Sequence, residues 1–282
     1  MSKLPITDGH IHLGPDGLGV EAAKKFQSLG GTHLVLVCKP YANPQTDPTS
    51  EQTILDSYAI TLKMAEKVRA ETSLGVFVVL GPHPSELSKL VTNHSLQEAE
   101  EIMVRCLNAA AKHVEEGHAM AFGEVGRPHY PVEEEVWEAS NRILEHAMIL
   151  GKETGAPLVL HTEGGTEVFR ELAEMADKVG LKRELLVKHF SRDWLEPEVN
   201  HGLFPSVVAR TKTIESALKK GTRFVMETDF IDVPSRPNIV LPPDQVPKLT
   251  NKLLAKGTMT EEQAWEIHKH NIEKVYRVEV EL

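Results

Sequence analysis

The sequence predicts an α/β fold of the TIM type, a (β/α)8 barrel with an extra helix at its C-terminus. Short runs rich in β-branched residues alternate with longer amphipathic segments, which is typical of βαβ units and a parallel sheet. The short runs number eight, which is the strand count of this barrel. A chain of 282 residues is ordinary for one α/β barrel, so we expect a single domain over residues 1–282.

The strand predictions follow the apolar runs in chain order, and VFVVL in the third strand is an example. They cover residues 4–10, 33–38, 74–80, 119–124, 157–161, 185–189, 205–209 and 223–228. Pro-rich segments at 40–48 and 233–247 follow strands 2 and 8. In a barrel such segments lie over the active face, where they either shape the substrate site or simply connect elements.

The helix predictions rest on apolar periodicity together with signals at the helix ends. Ser95 with Glu98 and Thr260 with Gln263 fit capping boxes, and Gly155, Gly180 and Gly221 fit C-terminal stops. The predicted helices cover 53–72, 96–116, 133–153, 166–179, 212–220, 246–256 and 261–276, with a short helix at about 20–29.

Composition excludes several classes of protein. The net charge is −10, from 41 acidic and 31 basic residues, so the molecule as a whole repels polyanions and nucleic-acid contact would have to be local. The apolar runs are too short to span a membrane, and no signal core precedes the first strand, so we expect a cytoplasmic protein. Two cysteines give no disulfide framework. Nothing in the composition indicates an oligomeric state.

Six side chains that could bind metal follow predicted strands. His10 and His12 are two residues apart on one strand, so both point to the same face. The other four each follow a separate apolar run, and they are Glu124, His161, His189 and Asp229. In isolation each would be better interpreted as structural, but their shared placement at strand ends favours a metal site.

Barrel geometry brings these residues together, because the C-terminal ends of all strands meet at one rim. We expect His10, His12 and Asp229 to hold one divalent ion, His161 and His189 to hold a second, and Glu124 to bridge them. Zinc is favoured, while Mn, Co, Ni and, less well, Mg also suit this ligand set. Such a pair of ions generates a hydroxide nucleophile, and Asp229 can accept the proton of the water, which makes Asp229 and Glu124 the predicted catalytic residues.

These residues resemble the TatD-like metal-dependent hydrolases of the amidohydrolase superfamily, from TDGHIHLG to the final HNIEKVYRV. The resemblance implies a distorted barrel and a binuclear centre built from His-x-His, a bridging Glu, two further His and an Asp. LGPHPSEL is similar to the Gly-x-His-Pro element of that family, which implies that His83 lies near the substrate.

The chain departs from that family where substrate contacts are expected. Arg127 stands in GRPHY where the family has Gly-Leu-Asp-Tyr, and Glu163 stands where the family has Arg in His-x-Arg. Arg127, Arg192 and Lys39 follow strands closely and could recognise an anion, although each could equally be an ordinary surface charge. If Glu163 points into the site, it would repel phosphate or accept hydrogen bonds from an amine or a sugar. We therefore predict a divergent member, with His83, Arg127, Glu163 and Arg192 as substrate residues.

Three functions are compatible with the sequence. The favoured hypothesis is a binuclear hydrolase of phosphoester bonds, including nuclease substrates, acting on a small molecule or a phosphoester. The alternative is an amidase, lactonase or phosphotriesterase; it is less favoured because phosphotriesterase-like proteins bridge their metals through a carboxylated Lys where Glu124 stands, and Lys188 is predicted to point away. A non-catalytic metal-binding barrel is the third hypothesis.

Overall fold

The computed structural model describes residues 4–40, 49–234 and 239–282. Its strands form a single parallel sheet in the order β8-β7-β6-β5-β4-β3-β2-β1-β9. The strands are β1 (Thr7–His12), β2 (His33–Val37), β3 (Gly75–Leu80), β4 (Ala121–Gly126), β5 (Leu158–His161), β6 (Leu186–Ser191), β7 (Phe204–Val208), β8 (Val225–Glu227) and β9 (Phe230–Ile231). All eight predicted strands are therefore confirmed, with small shifts at their ends.

The sheet curls until β8 returns to β1. The chain leaves β8 through Thr228 and Asp229 and enters β9, which pairs in parallel with β1. Asp8 on β1 accepts hydrogen bonds from the backbone N–H and the hydroxyl of Thr228, at 3.0 and 2.6 Å. The backbone N–H of Asp229 donates to the carbonyl of His10 at 3.0 Å. These contacts give the TIM-type fold that the sequence predicts.

The helices cover the outside of the sheet. They are α1 (Val20–Ser28), α2 (Glu51–Glu71), α3 (Pro84–Leu90), α4 (Leu96–Glu115), α5 (Glu134–Thr154), α6 (Thr166–Val179), α7 (Pro197–Asn200), α8 (Thr211–Lys220), α9 (Gln245–Ala255), α10 (Glu261–Trp265) and α11 (Asn271–Tyr276). A π-helical turn over Glu266–His270 joins the last two, so the predicted helix 261–276 is continuous. None of the helices in the described ranges has the length and apolar character needed to cross a bilayer.

Three elements lie outside the sequence-based predictions. The short helices α3 and α7 each begin at a proline, and β9 contains only two residues. Residues 41–48 and 235–238, which include most of the first Pro-rich segment and part of the second, lie outside the described residues. The role predicted for these segments stays a prediction.

Two apolar layers hold the barrel. Valines from several strands fill its interior, while the outward faces of the strands pack against the surrounding helices. Ile272 and Tyr276 of α11 belong to the interior cluster. The side chain of Asn271 donates to the carbonyls of Thr222 and Phe224 just before β8. The extra C-terminal helix therefore closes the end of the barrel where the strands begin. The opposite end, where the strands finish, is not covered by this helix.

Candidate metal centre

The two histidines of β1 point into the barrel mouth together. The Nε2 atoms of His10 and His12 are 3.1 Å apart, and both side chains are buried. The Nδ1 of His12 lies 2.8 Å from the carbonyl oxygen of Val37. Because a carbonyl only accepts, Nδ1 carries the proton and the lone pair of Nε2 faces the centre. β1 thus offers two imidazole nitrogens to one point in space.

Glu124, at the end of β4, lies between two pairs of histidines. Its Oε2 atom is 3.3 Å from Nε2 of His12 and 3.7 Å from Nε2 of His10. Its Oε1 atom is 2.8 Å from Nδ1 of His161 and 3.0 Å from Nε2 of His189. Each carboxylate oxygen therefore faces its own pair of nitrogens.

Asp229 completes the first of these two groups. Its Oδ1 atom lies 3.7 Å from Nε2 of His12 and 3.9 Å from Nε2 of His10. The residue has a positive φ of 49°, a left-handed conformation that Asp tolerates better than most side chains. This turn follows β8 immediately and holds the carboxylate on the side of the centre that contains His10 and His12.

Burial and neighbouring charges shift the pKa values of the buried histidines and of Glu124 in the centre. Burial alone would lower the pKa of His12, but hydrogen bonds and charge from Asp229 and Glu124 outweigh it and raise the pKa to about 9. At His189 burial is likewise outweighed by Glu124 and then Glu227, which raise the pKa to about 10. At Glu124 burial opposes ionisation, yet the surrounding histidines hold its pKa well below the usual range. The carboxylates of the centre therefore favour positive charge between the imidazoles, either as protons on the rings or as a bound cation in their place.

Two further residues support the imidazoles, and neither was predicted to do so. Oε1 of Glu227 lies 3.6 Å from Nδ1 of His189, and Nδ1 of His129 lies 2.8 Å from Nε2 of His161. Glu227 could have been found from strand periodicity, because it precedes Asp229 by two residues and therefore shares its face. His129 follows β4 in an irregular segment, so no periodic signal identifies it.

His83 lies at the edge of the centre. Its Nδ1 accepts a hydrogen bond from the backbone N–H of Ser85 at 3.1 Å, which makes His83 the N-cap of α3. The proton of the neutral ring is therefore on Nε2, which lies 4.0 Å from Oε2 of Glu124. Burial is the main reason that the pKa of His83 is well below its ordinary value. The ring stays neutral and can donate into the mouth, although its predicted contact with substrate stays a prediction.

Arg127 and Glu163 contact each other. The guanidinium of Arg127 makes two hydrogen bonds to the Glu163 carboxylate, a third at 3.0 Å to Glu171, and lies over the ring of Trp137. A buried guanidinium held by two carboxylates presents little positive charge to a ligand. The predicted roles of Arg127 and Glu163 in substrate binding stay predictions, and in this structure the two residues neutralise each other.

Arg192 lies elsewhere, in the wall of a cavity of about 550 Å³ that opens beside the centre. His161, His189 and Asp229 also line this cavity. Lys188 also lines it, so the prediction that this residue points away from the site is wrong; its amine donates to the carbonyl of His189 at 3.0 Å, and burial lowers the pKa of this amine to about 8. The other predicted cation, Lys39, donates to the carbonyl of Asp232 at 2.6 Å.

The structure is thus a curled parallel barrel whose mouth contains clusters of histidines and carboxylates that could hold a metal ion. A match to the family of TatD-related DNases extends over residues 7–277, and the chain belongs to that family. It is 41% identical to an uncharacterized protein of Methanocaldococcus jannaschii over 286 residues, covering 100% of this chain and 99% of the relative.

Solved structures with the same fold include a TatD-like protein of Archaeoglobus fulgidus, at a TM-score of 0.62 and 19% identity, covering 96% of this chain and 100% of that one. The phosphotriesterase homology protein of Escherichia coli, solved with phosphate in its active site, gives 0.64 and 14%, covering 98% and 100%. A variant of an organophosphorus hydrolase from Deinococcus radiodurans gives 0.65 and 16%, covering 98% and 94%. At these identities the likeness concerns the fold alone.

Proposed function

We propose that this protein is a binuclear metal-dependent hydrolase of phosphoester bonds, with zinc as the favoured metal and the cytoplasm as its location. The observation that carries the proposal is the position of Glu124, whose two oxygens each face a separate pair of imidazole nitrogens. One ion would be held by His10, His12, Asp229 and Oε2, and the other by His161, His189 and Oε1.

The chemistry of both groups of donors fits metal ions, and so does the spacing of the first group, whereas the donors of the second group, 2.8–3.1 Å apart, would have to separate slightly around an ion. An ion with bonds of roughly 2.0–2.2 Å in tetrahedral geometry separates its ligands by roughly 3.3–3.6 Å. In the first group, the distances between donor atoms run from 3.1 Å between the two imidazoles to 3.9 Å between His10 and Asp229. Mixed imidazole and carboxylate ligation is typical of sites for zinc and other first-row divalent ions.

The bound ions, Asp229 and His83 would have separate roles in the reaction. Ions bound here would lower the pKa of a water ligand and neutralise charge on the substrate oxygens. Asp229 lies at the open side of the centre, next to the cavity, where its carboxylate can accept the proton of the attacking water. The pKa of Asp229 is lowered despite its burial, chiefly by His12, so the carboxylate is ionised and ready to accept. The Nε2–H group of His83 can donate a hydrogen bond to the leaving or non-bridging oxygen.

The alternative is hydrolysis of an amide, a lactone or a phosphotriester by the same centre. The pairing of Arg127 with Glu163 favours it, because it removes one cation that an anionic phosphoester could have used. Arg192 favours the phosphoester, because it lines the cavity beside the centre. The family of this chain also favours the phosphoester.

A hydrolase screen with metal loading tests the proposal. Purified protein is stripped, reloaded in parallel with Mg, Mn, Zn or Co, and assayed on phosphomonoesters, phosphodiesters, oligonucleotides, lactones, amides and phosphotriesters. We expect two ions per chain by elemental analysis, and phosphoester turnover that is lost in Glu124→Gln and kept in the exposed control Glu135→Gln. Fully metallated protein that is inert toward every phosphoester would reject the proposal, and turnover confined to lactones or amides would establish the alternative.

A further inference from the structure

The wall of the cavity beside the metal centre carries positively charged and aromatic side chains. Its floor contains His189 and Asp229 of the centre, while its wall comes from the residues that follow β6 and β7. Two guanidinium groups stand in this wall, those of Arg192 and Arg210. Arg210 was not among the predicted substrate residues, although it follows β7 in the same way that Arg192 follows β6.

Neither guanidinium is paired with a carboxylate anywhere in the described ranges of the chain. Arg192 lies over the ring of Trp194 and Arg210 over the ring of Phe190, each at 5.7 Å from the ring centroid. Stacking of this kind orients a guanidinium without using its N–H donors. Arg127 shows the contrast, because its donors are taken by two carboxylates. The donors of Arg192 and Arg210 therefore remain available to a ligand.

The charges around the cavity also favour a negatively charged ligand. The chain carries a net charge of −10, so two arginines in one cavity create a local positive field in a negative molecule. Thr213 in the first turn of α8 also lines the cavity, and that turn contains no acidic residue and no side-chain cap. A negatively charged group is the complement of this wall.

An apolar surface adjoins the two arginines. Phe190 is 44% exposed, which is unusual for a phenylalanine, and Trp194, Val208 and Ile231 line the same cavity. Phe190 has a positive φ of 54°, and its backbone N–H donates to Glu227 at 2.7 Å. A strained backbone that displays an aromatic ring beside a catalytic centre indicates a contact surface for a ring or an alkyl group.

We propose that this cavity binds a second anionic group of the substrate, a phosphate or a carboxylate, together with an adjoining ring or apolar group. The inference rests on the proposed function and narrows it. The substrate is then a small phosphoester that carries a further negative charge beyond the scissile bond, and neutral triesters and lactones are disfavoured. Arg192 and Arg210 select for the charge, and Phe190 and Trp194 select for the apolar part.

Equilibrium binding tests this inference without relying on turnover. Phenylphosphonate, which has no ester bond to hydrolyse, benzoate and benzyl alcohol share a ring and differ in charge, and their dissociation constants are measured by ligand-detected NMR on the full-length protein. We expect at least one anion to bind about tenfold more tightly than the alcohol, because charge-assisted hydrogen bonds are stronger than neutral ones. The tighter of the two anions identifies phosphate or carboxylate as the group recognised.

Two variants assign the binding to the wall. Arg192→Met and Arg210→Met should each weaken binding of the anion by about three- to tenfold and leave the alcohol unchanged. Arg170→Met is the control, since Arg170 is on α6 and pairs with Glu167 and Glu174. Equal affinity for anions and alcohol, or unchanged affinity in both variants, would overturn the inference even if the hydrolase screen succeeded. Selective anion binding in a protein that fails the screen would uphold this site while rejecting the proposed function.

Discussion

Oε1 of Glu227 lies 3.6 Å from Nδ1 of His189, so a buried carboxylate stands behind the imidazole that faces Glu124. A neutral histidine that offers Nε2 to a cation carries its proton on Nδ1, and a carboxylate is the best acceptor for that proton. At 3.6 Å the contact of Glu227 with His189 is electrostatic, and the hydrogen bonds that Glu227 accepts come from the backbone N–H of Phe190 and the hydroxyl of Ser206. One side chain thus connects the metal centre to the wall of the cavity.

We predict that Glu227→Gln weakens metal binding at the His161 and His189 side by about 10- to 100-fold, as expected when a residue that orients a ligand loses its charge. Zinc affinity is measured by competition with a chromophoric chelator. Glu198→Gln, at an exposed position on α7, is the control. A variant that unfolds more easily but binds zinc as tightly as the parent protein would show that Glu227 acts only in stability.

Replacing Asp229 tests its two proposed roles together, as a ligand of the first ion and as the acceptor of the proton of the attacking water. Asp229→Asn keeps the shape of the side chain but removes the proton acceptor, so we expect kcat to fall by about 10²- to 10⁴-fold with a smaller effect on KM. Steady-state kinetics on the best phosphoester substrate provide the measurement, with the exposed Asp56→Asn as control. If every measurable activity were unchanged, the hypothesis of a non-catalytic barrel would regain support.

Metal removal should lower stability as well as activity. A ligand that binds only the folded state stabilises it, by about 2.7 kcal/mol at a concentration one hundred times its dissociation constant. We therefore expect a chelator to lower the melting temperature and added zinc to restore it, with little response in Glu124→Gln. Calorimetry at several zinc concentrations gives the result, and a melting temperature independent of metal would contradict a buried centre.

Much of the fold could be predicted from sequence because it depends on repeated patterns. Each predicted strand is an apolar run long enough to show its type, and capping signals such as Thr260 with Gln263 are local and specific. The helix α3 and the strand β9 are too short for periodicity to register. Their positions depend on His83 capping a turn and on β1 accepting a partner strand, which are tertiary contacts.

The candidate site likewise has a part that the sequence predicts and a part that depends on tertiary contacts. Five of the six proposed ligands lie near the ends of strands and the sixth, Asp229, follows one; strand ends converge in any barrel, so topology alone brings His10 and Glu124 together. No comparable rule predicts where the charged side chains of the loops lie. Sequence could place Arg127 and Glu163 at the rim, but it could not show that they pair with each other, whereas Arg192 and Arg210 do not pair with any carboxylate in the described ranges.

The side chain of Asp232 anchors the loop between β1 and α1 through hydrogen bonds. Its buried carboxylate accepts backbone N–H groups from Leu18 and Gly19, both at 2.7 Å, and from Gly14 at 3.3 Å. Asp232→Asn would place an amide against these donors, so we expect a loss of about 1–3 kcal/mol in the free energy of unfolding. Urea denaturation measures the loss, and the exposed Asp16→Asn in the same loop should change it little. A loss as small as that of Asp16→Asn would show that the loop does not depend on this carboxylate.

His268 makes stability depend on pH away from the metal centre. The side chain is fully buried in the π-helical turn, where its Nδ1 contacts the backbone N–H of Thr7 at 3.2 Å and its Nε2 contacts the hydroxyl of Thr250 at 2.9 Å. Burial lowers the pKa of His268 to about 4. Below the ordinary pKa of 6.5 the unfolded chain takes up a proton that the folded protein refuses, so stability falls as pH drops from 6.5 towards 4.

The size of this effect follows from the difference between the two pKa values and amounts to about 3 kcal/mol over that range. His268→Gln should be less stable at neutral pH, yet its stability should fall less steeply with acid, because the group that titrates is gone. Urea unfolding at several pH values between 4 and 7 measures both slopes, with the exposed His118→Gln as control. Parallel curves for the parent protein and His268→Gln would mean that His268 does not titrate in this range, and the acid sensitivity would then belong to another buried histidine with a lowered pKa, such as His83.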